Sequence, residues 1–399
     1  PRKDGKIWAK RDSATSAPED NNKLNCWKVV KFQGEHPGAR SGHGLAIIGH
    51  YLYIFGGCGG PTDGGACMAD FMRMDMKTLT WQNVRSHGEN PSPRASFAMV
   101  GVPERSSIIV SGGTGDDLLC DDLFEFNIPT GHWCRILSDG NNFAKYYGQS
   151  VCVFRSHVYF FGGSKGTQYT NQLYKFDLDS RNWSEVQTRG TVPDARYKHQ
   201  ALMVGSNMFV IGGGNYRPVN ENLDVYKLNM ITMEWSCVHT TGCIPKGRVA
   251  HVAEYDRLSN KIYVWGGFTS TLHRLHDFFS LALDSMEWEC LSEKNGWMEK
   301  NDRQMKSGPC PRAFHGAFFY DSSMYIFGGA DGQNRHEDMW KYQLRCSPLS
   351  LLDLAGEAAA KSNVKSGKEW LPMELLKQVQ GDRLSDFRPA PSSSLLNVH

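Results

Sequence analysis

The segment Tyr51-Leu52-Tyr53-Ile54-Phe55-Gly56-Gly57 is a run of strand-forming residues that ends in a glycine pair, and this pattern occurs five more times. The other copies are SIIVSGG ending at Gly113, VYFFGG at Gly163, MFVIGG at Gly213, IYVWGG at Gly267 and MYIFGG at Gly329. The spacing of roughly 50 residues indicates a repeat architecture. We therefore number six repeats by these glycine pairs.

Each repeat contains the signals of four short strands. An apolar strand precedes the glycine-pair strand, and in the first five repeats a third, alternating strand and then a tryptophan follow it. The tryptophans are Trp81, Trp133, Trp183, Trp235 and Trp288. Four strands per unit are typical of a propeller blade. The sequence predicts an all-β, six-bladed β-propeller in which these tryptophans fill the wedges between blades.

The sixth repeat has a third strand but no tryptophan after it, and the missing strand is found at the other end of the chain. Trp27 precedes Arg40 by 13 residues, the same interval that separates Trp81 from Arg94 and Trp235 from Arg248. We expect the strand at Trp27 to complete the last blade, which removes the exposed sheet edges of an open ring. The predicted organisation is a disordered tail over 1–22, the propeller over 23–346, a short α-helical segment over 347–380 and a disordered tail over 381–399.

These features resemble the kelch repeat, and the resemblance covers about Cys26 to Cys346. It rests on a hydrophobic strand ending in Gly-Gly, a following aromatic residue and a later tryptophan. The resemblance implies that ligands bind on the face formed by two loops of each blade: the loop entering the innermost strand and the loop after the glycine pair.

Composition narrows the class of protein. With 44 basic and 42 acidic residues among 399, the chain is nearly neutral, which argues against general nucleic-acid binding. No apolar stretch approaches the roughly 20 residues of a membrane span, and 1–22 lacks the apolar core of a secretory signal. The eleven cysteines form no CxxC pair, so we expect reduced thiols, no structural zinc and a cytoplasmic or nuclear location.

The loops that enter the innermost strands carry a repeated Arg-x-x-His pattern. It occurs at Arg40/His43, Arg196/His199, Arg248/His251 and Arg312/His315, and Arg94 stands alone in blade two. Blade three differs and has Lys145, Tyr146, Tyr147 and Gln149. A ring of arginines predicts an electropositive basin for an anionic ligand. The alternative is that these arginines and histidines hydrogen-bond loop carbonyls between blades, and the sequence leaves both open.

The loops after the glycine pairs vary more and are the expected source of specificity. They contain Ser164, Lys165 and Tyr169 in blade three, Asn215, Tyr216 and Arg217 in blade four, and Asn334 and Arg335 in blade six.

Asp116, Asp117, Asp121 and Asp122 are a weak metal candidate, because Asp122 occupies a polar position before the third strand that Asp70, Asn222, Asp277 and Asp338 share. His273 and His276 are expected at the surface. No phosphate-binding loop or nucleophile elbow occurs, so we predict neither catalysis nor a cofactor.

Beyond the last strand, two stretches have helical spacing. Leu351, Ala355 and Ala359 follow each other at intervals of four, and Pro372 suits the first turn of a helix that aligns Leu371, Leu375 and Val379. These helices could cap the propeller or bind in the groove of a partner. The first stretch resembles the box that binds elongin C, although Ala355 stands where that box most often has cysteine. The second resembles the cullin-2 box.

A kelch propeller followed by these two boxes resembles the kelch-domain substrate receptors of cullin-2 ubiquitin ligases. The resemblance implies a non-catalytic receptor that works with elongin B, elongin C and cullin-2 in protein degradation. It also implies binding of substrate C-termini that end in glycine or another small residue, a C-degron. The residues expected to bind the tail are Arg196, Tyr197 and Arg248 first, Lys145 and Tyr147 second, and then Arg40, Arg312, Tyr216, Arg217 and Lys165.

Two other functions remain open at this stage. The protein could instead be an interaction scaffold that binds a signalling enzyme through the same face and has no ligase role. An enzyme is the third possibility, but it would need clustered metal ligands on one face. Under the receptor hypothesis, Arg196→Ala or Arg248→Ala should abolish tail binding without unfolding the ring.

Overall fold

The computed structural model describes residues 24–60, 65–115, 119–136, 145–294 and 308–345. They form six antiparallel sheets of four main strands each, with one sheet per sequence repeat. The first strands of the six sheets contact one another in a closed circle, so they surround the axis of the ring. The predicted six-bladed β-propeller is confirmed.

The strands are numbered in chain order. The innermost strands are β3 (Gly44–Ile48), β8 (Ala98–Val102), β12 (Ser150–Phe154), β17 (Gln200–Val204), β22 (Val252–Asp256) and β26 (Gly316–Tyr320). The second strands are β4 (Tyr51–Phe55), β9 (Ser107–Ser111), β13 (His157–Phe161), β18 (Asn207–Ile211), β23 (Lys261–Trp265) and β27 (Ser323–Phe327). The third strands are β5 (Phe71–Asp75), β10 (Leu123–Asn127), β14 (Leu173–Asp177), β19 (Val225–Asn229), β24 (Phe278–Ala282) and β28 (Met339–Gln343). The outermost strands are β6 (Thr80–Asn83), β11 (His132–Ile136), β15 (Trp183–Val186), β20 (Glu234–Cys237), β25 (Glu287–Cys290) and β1 (Trp27–Val29).

Within the described residues, four blades carry an additional strand of two residues that the sequence analysis did not predict. These strands, β2 (Gln33–Gly34), β7 (His87–Gly88), β16 (Arg189–Gly190) and β21 (Thr241–Gly242), pair in parallel with the outermost strand. The glycine is required because its φ is positive and a Cβ at Gly190 would lie 2.3 Å from the carbonyl oxygen of Trp235. A short 3-10 helix (Pro103–Arg105) and helix α1 (Leu291–Lys294) complete the described elements. No helix in these ranges is long and apolar enough to cross a membrane.

Six apolar clusters fill the spaces between blades, each shared by two neighbouring blades, and a seventh lies on the side of the ring that carries Tyr197 and Phe268. One of the six tryptophans belongs to each of the six clusters between blades, as predicted: Trp27, Trp81, Trp133, Trp183, Trp235 and Trp288. Five of them are buried and Trp183 is partly exposed. Each wedge-shaped space between two blades is therefore filled by one tryptophan, which explains why this residue recurs once per blade.

The N-terminal strand closes the ring. β1 pairs antiparallel with β28, so that Trp27 lies opposite Tyr342, and blade six contains both ends of the propeller. The Trp27 ring packs at centroid distances of 5.9 Å from Trp265, 5.4 Å from Phe278 and 5.3 Å from Tyr342. The predicted closure by Trp27 is thus confirmed.

We expect Trp27→Ala to lower the free energy of unfolding by about 3–5 kcal/mol, since a buried indole between two blades is lost. Chemical denaturation of the full chain measures this change. Val29→Ala on the same strand is the matched control, because Val29 is 55% exposed and should change stability by less than about 0.5 kcal/mol. Equal losses for both variants would contradict the closure role of Trp27.

Candidate functional site

The loops that enter the innermost strands and the loops after the glycine pairs meet on one side of the ring, which we call the upper face. In every blade three residues from these loops form successive antiparallel bridges. They are Ser41, Cys58 and Cys67; Ala95, Thr114 and Leu119; Tyr147, Ser164 and Tyr169; Tyr197, Gly214 and Pro218; Val249, Phe268 and Arg274; and Ala313, Ala330 and Arg335. The six blades thus present equivalent positions that can be compared directly.

The repeated arginines are buried below the upper face. Each forms two hydrogen bonds to one aspartate: Arg40 with Asp70, Arg94 with Asp122, Arg196 with Asp224, Arg248 with Asp277 and Arg312 with Asp338. Each also donates to the carbonyl of the first glycine in its pair, as Arg196 Nη1 does to Gly212 at 2.8 Å. These side chains are at most 2% exposed.

This geometry corrects the predicted role of Arg40, Arg196, Arg248 and Arg312. Their guanidinium groups are themselves buried and paired with aspartates of the same blade, so they do not form an accessible basin and the structural alternative applies to them. The aspartates lie before the third strand, as the sequence indicated, but blade four uses Asp224 rather than Asn222 because β19 begins at Val225. Blade three replaces both members: Tyr146 and Gln172 occupy the arginine and aspartate positions.

The four histidines of the pattern face the cavity at the axis, and within the described residues only His199 has a side-chain hydrogen bond, between its Nε2 and Ser150 Oγ at 2.7 Å. His43, His199, His251 and His315 line the inner strands, and the last three are buried. Burial lowers the pKa of His43 and of His251 to about 3, and the pKa values of His199 and His315 fall as well. These imidazoles are therefore neutral at physiological pH and contribute no positive charge to the axis.

A closed circle of six backbone hydrogen bonds surrounds the axis at the upper face. Its members, which we call the axial ring, are Gly42, Ser96, Gly148, Lys198, Ala250 and Phe314. Each N–H donates to the carbonyl of the preceding member at 2.7 to 3.1 Å, and Gly42 donates to Phe314 to close the circle. All six residues have φ between 54° and 68°, a conformation that is uncommon for residues with a side chain. The circle fixes the positions of the axial-ring side chains.

Lys198 is the one cation of the axial ring. Its Nζ donates to Ser96 Oγ at 2.7 Å and lies 5.3 Å from the ring centroid of Phe314. Burial lowers the pKa of Lys198 to about 8. Within the described residues Lys198 forms no ion pair with a carboxylate. The result is a partly buried ammonium group at the mouth of the axis whose charge is not neutralised by a direct partner.

The axial ring and the inner strands line a cavity of about 280 Å³. Glu254 also lines this cavity, and burial raises its pKa to about 8. At neutral pH this carboxyl group is mostly protonated and does not offset Lys198. The charge of Lys198 is therefore available to an anionic group that reaches the axis from the upper face.

Four tyrosines from blades three and four form a cluster beside Lys198. Tyr197 lies at centroid distances of 5.7 Å from Tyr147, 5.3 Å from Tyr169 and 5.5 Å from Tyr216. Tyr197 is buried, whereas Tyr216 is 58% exposed. The structure thus brings together Tyr147, Tyr197 and Tyr216, three residues that the sequence reading selected. The cluster continues through Val249 and Phe268 to Phe314.

The remaining predicted cations lie farther out on the loops. Lys165 is exposed with Nζ 4.5 Å from the centroid of the Tyr146 ring, Arg217 is exposed, and Lys145 is partly exposed. The sequence reading missed Lys198 and Arg274. The Arg274 guanidinium lies 4.8 Å from the Phe268 centroid and 6.0 Å from that of Phe314. Comparing the residue two positions after each arginine, or after Tyr146 in blade three, gives Gly, Ser, Gly, Lys, Ala and Phe, and this comparison would have singled out Lys198.

The aspartates, the two histidines and the two boxes singled out in the sequence lie away from this site or outside the described residues. Asp116 and Asp117 lie outside the described residues, while Asp122 is engaged by Arg94. His273 is exposed and His276 partly buried. Leu351, Ala355, Ala359, Leu371, Pro372, Leu375 and Val379 all lie outside the described residues, so the two box predictions remain predictions.

Comparison with known proteins agrees with this architecture. The KLHDC2/KLHL20/DRC7 Kelch-repeats domain matches residues 19–213 and 198–366. The chain is 26% identical over 309 residues to human Kelch domain-containing protein 3, covering 73% of this chain and 77% of that protein. It is also 26% identical over 343 residues to human Kelch domain-containing protein 10, covering 80% of this chain and 73% of that protein. From the sequence, the segments YYGQSV, VYFFGGSKG and ARYKHQ of blades three and four also indicate a resemblance to this second protein. Together with the six blades, these matches show that the chain belongs to the KLHDC2/KLHL20/DRC7 kelch-repeat family, whose propeller is typically a non-catalytic scaffold for protein interactions.

Proposed function

We propose that this protein is the substrate-recognition subunit of a cullin-2, elongin B and elongin C ubiquitin ligase, and that it binds protein C-termini on its upper face. The observation that carries the binding half is Lys198, an ammonium group held at the axis next to an aromatic cluster. We place this role in the cytoplasm or the nucleus. It requires no catalytic residue in the propeller, because the receptor only raises the effective concentration of the substrate near the transferring subunits.

A chain terminus fits this arrangement better than an internal acidic side chain does. The terminal carboxylate would form a charge-assisted hydrogen bond with Lys198, while the preceding residues lie against Tyr197, Tyr147 and Tyr216. The Tyr197 ring and the Lys198 stem pack around Gly148, where an added Cβ would come within 2.9 Å of the Tyr197 ring. This packing fixes the stem of Lys198, and the preference for a small last residue such as glycine is the part of the proposal that comes from the family resemblance.

The ligase half of the proposal is supported by sequence. The elongin C box at Leu351, Ala355 and Ala359 and the cullin-2 box at Leu371, Pro372, Leu375 and Val379 follow the last propeller strand in that order. Each box alone is a weak signal, and their succession after a kelch propeller is what supports a ligase receptor.

The test is co-purification with elongin B, elongin C and cullin-2. The intact chain should recover all three proteins, whereas a chain ending at Cys346 should recover none. Leu371→Glu should lose cullin-2 and keep elongin C, because it places a charge in an apolar contact of the second box only.

The matched control is Leu258→Glu, which changes an exposed propeller residue and should recover the full set. If the intact chain recovers none of the three partners, the ligase role is excluded. The protein would then be a kelch scaffold that uses the same face for another partner, such as a signalling enzyme.

A further inference from the structure

Cys310, Asp331 and His336 converge at the edge of blade six, outside the site described above. Cys310 lies in the segment that enters blade six, two residues before Arg312, and the other two belong to the loop after Gly329. Their metal-binding atoms all lie within 4.8 Å of one another, and all three residues are partly buried. A thiol, an imidazole and a carboxylate are the ligand types that zinc takes in proteins.

The backbone holds this loop in place. The His336 N–H donates to the Gly329 carbonyl at 2.9 Å, and the His336 carbonyl accepts from Arg40 N–H of blade one at 3.1 Å. Asp331 uses Oδ1 to accept the N–H groups of Gln333 and Asn334, both at 2.7 Å. Its other oxygen, Oδ2, is the one that faces His336.

One nitrogen atom faces both of the other groups. His336 Nε2 lies 3.4 Å from Cys310 Sγ and 3.2 Å from Asp331 Oδ2. A ring nitrogen has one hydrogen or one lone pair, so it cannot form two full hydrogen bonds. Ligands around a tetrahedral zinc ion are separated by about 3.3 to 3.6 Å, given the usual zinc-to-ligand distances. The two observed separations, 3.4 Å and 3.2 Å, are close to these ligand-to-ligand distances.

We propose that Cys310, Asp331 and His336 bind a divalent transition-metal ion, with zinc the best fit and a water molecule or an external ligand in the fourth position. This inference departs from the sequence expectation of no structural zinc, which rested on the absence of CxxC pairs. The ligands come from two segments of the chain, Cys310 from one and Asp331 and His336 from the other, and they form no CxxC-type spacing. The ion would tie the segment entering blade six to the loop that carries Arg335 on the upper face.

The local charge is compatible with a cation. Arg312 Nη2 lies 3.1 Å from Cys310 Sγ, but this guanidinium is already paired with Asp338 through two hydrogen bonds. With Cys310 ionised, Cys310, Asp331 and Asp338 carry three negative charges, whereas Arg312 and Arg274, which interacts with Asp331, carry two positive ones, so an excess of negative charge is left for a cation. The Arg312 N–H would then act as a hydrogen-bond donor to the metal-bound sulfur.

Blade two supplies the structural alternative and the decisive variant. There Ser92 occupies the position of Cys310, and its Oγ accepts from Arg94 Nη2 at 2.9 Å. Cys310 could therefore serve only as a hydrogen-bond partner of Arg312. Cys310→Ser keeps that hydrogen bond, as blade two demonstrates, and removes the thiolate, so it separates the two roles.

The experiment uses the full chain purified without a polyhistidine tag. Elemental analysis after dialysis should find about one zinc ion per chain. Titration of the metal-stripped protein with cobalt(II) should give the visible bands of tetrahedral cobalt and a thiolate charge-transfer band. Cys310→Ser and His336→Asn should each lose both signals, while Cys243→Ser, which removes an exposed cysteine, should keep them.

Two results would overturn the site. The first is a native chain that binds neither zinc nor cobalt, and the second is metal binding that survives Cys310→Ser unchanged. Circular dichroism of each variant separates loss of the ligand from loss of the fold. If His336→Asn fails to fold, the charge-transfer band of the native chain and its loss in Cys310→Ser decide the question.

Discussion

Arg196→Ala should destabilise the propeller by about 3–5 kcal/mol, because it leaves a buried carboxylate without its cation. Arg196 is fully buried and donates to both oxygens of Asp224 at 3.1 Å and to the carbonyl of Gly212 at 2.8 Å. The side chain of Asp224 is only 12% exposed, so water replaces little of the lost interaction. Chemical denaturation of the full chain gives the change in the free energy of unfolding.

The same blade provides the control. Arg189 forms an ion pair with Glu234 at 3.3 Å, and the two side chains are 68% and 53% exposed. Arg189→Ala should therefore change stability by about 0–1 kcal/mol. The two arginine-carboxylate pairs differ in burial and in hydrogen bonding, since Arg196 bonds both oxygens of Asp224 and a backbone carbonyl whereas Arg189 contacts one oxygen of Glu234.

Blade three suggests a rescue of the buried pair. It carries Tyr146 and Gln172 where blade four has Arg196 and Asp224, which shows that the propeller accepts an uncharged pair at this position. The double variant Arg196→Tyr with Asp224→Gln should lose less stability than Arg196→Ala. An Arg196→Ala protein of unchanged stability that no longer binds tails would restore the rejected assignment of Arg196 to the ligand.

The blade architecture could be predicted because its sequence pattern occurs six times in the chain. The strand before each glycine pair and the tryptophan of each wedge recur at compatible spacing, and the interval from Trp27 to Arg40 identified the closing strand. The two-residue parallel strands were missed. Two residues show no alternation, and the glycine that ends each strand reads as an ordinary loop residue.

The site was harder to predict, because one residue type serves two purposes. An arginine in a loop can bind an external anion or an internal aspartate, and only the fold shows that Asp70 faces Arg40. The sequence did contain a clue: the blade without the arginine is also the blade without the aspartate. The tyrosines were selected because they interrupt the repeat. Lys198 was not selected, because it occupies a variable position inside the repeated pattern from Arg196 to His199.

Lys198→Met should weaken the binding of a peptide ending in Gly-Gly by roughly 10-fold to 150-fold, the equivalent of about 1.5–3 kcal/mol for a hydrogen bond to a charged group. Methionine keeps the length and apolar contacts of the stem but removes the ammonium group. The measurement is the dissociation constant of a fluorescent peptide with a free carboxylate. The same peptide with a C-terminal amide should bind the native chain as weakly as the free peptide binds Lys198→Met. Lys165→Met, which removes an exposed cation of the same face, should have a small effect.

The pH dependence distinguishes Lys198 from any arginine. Because burial lowers its pKa to about 8 in the free protein, the ammonium form predominates at pH 7 and is lost as the pH rises above 8. Affinity for the free carboxylate should therefore fall by roughly tenfold between pH 7 and pH 9, following the protonated fraction. Lys198→Arg should lose less affinity over this range, since a guanidinium stays charged and only the ionisation of Glu254, whose pKa burial raises to about 8, still opposes the carboxylate. If the amide peptide binds as tightly as the free peptide and the affinity does not change with pH, the carboxylate does not lie at Lys198. The axial ring would then have a structural role only.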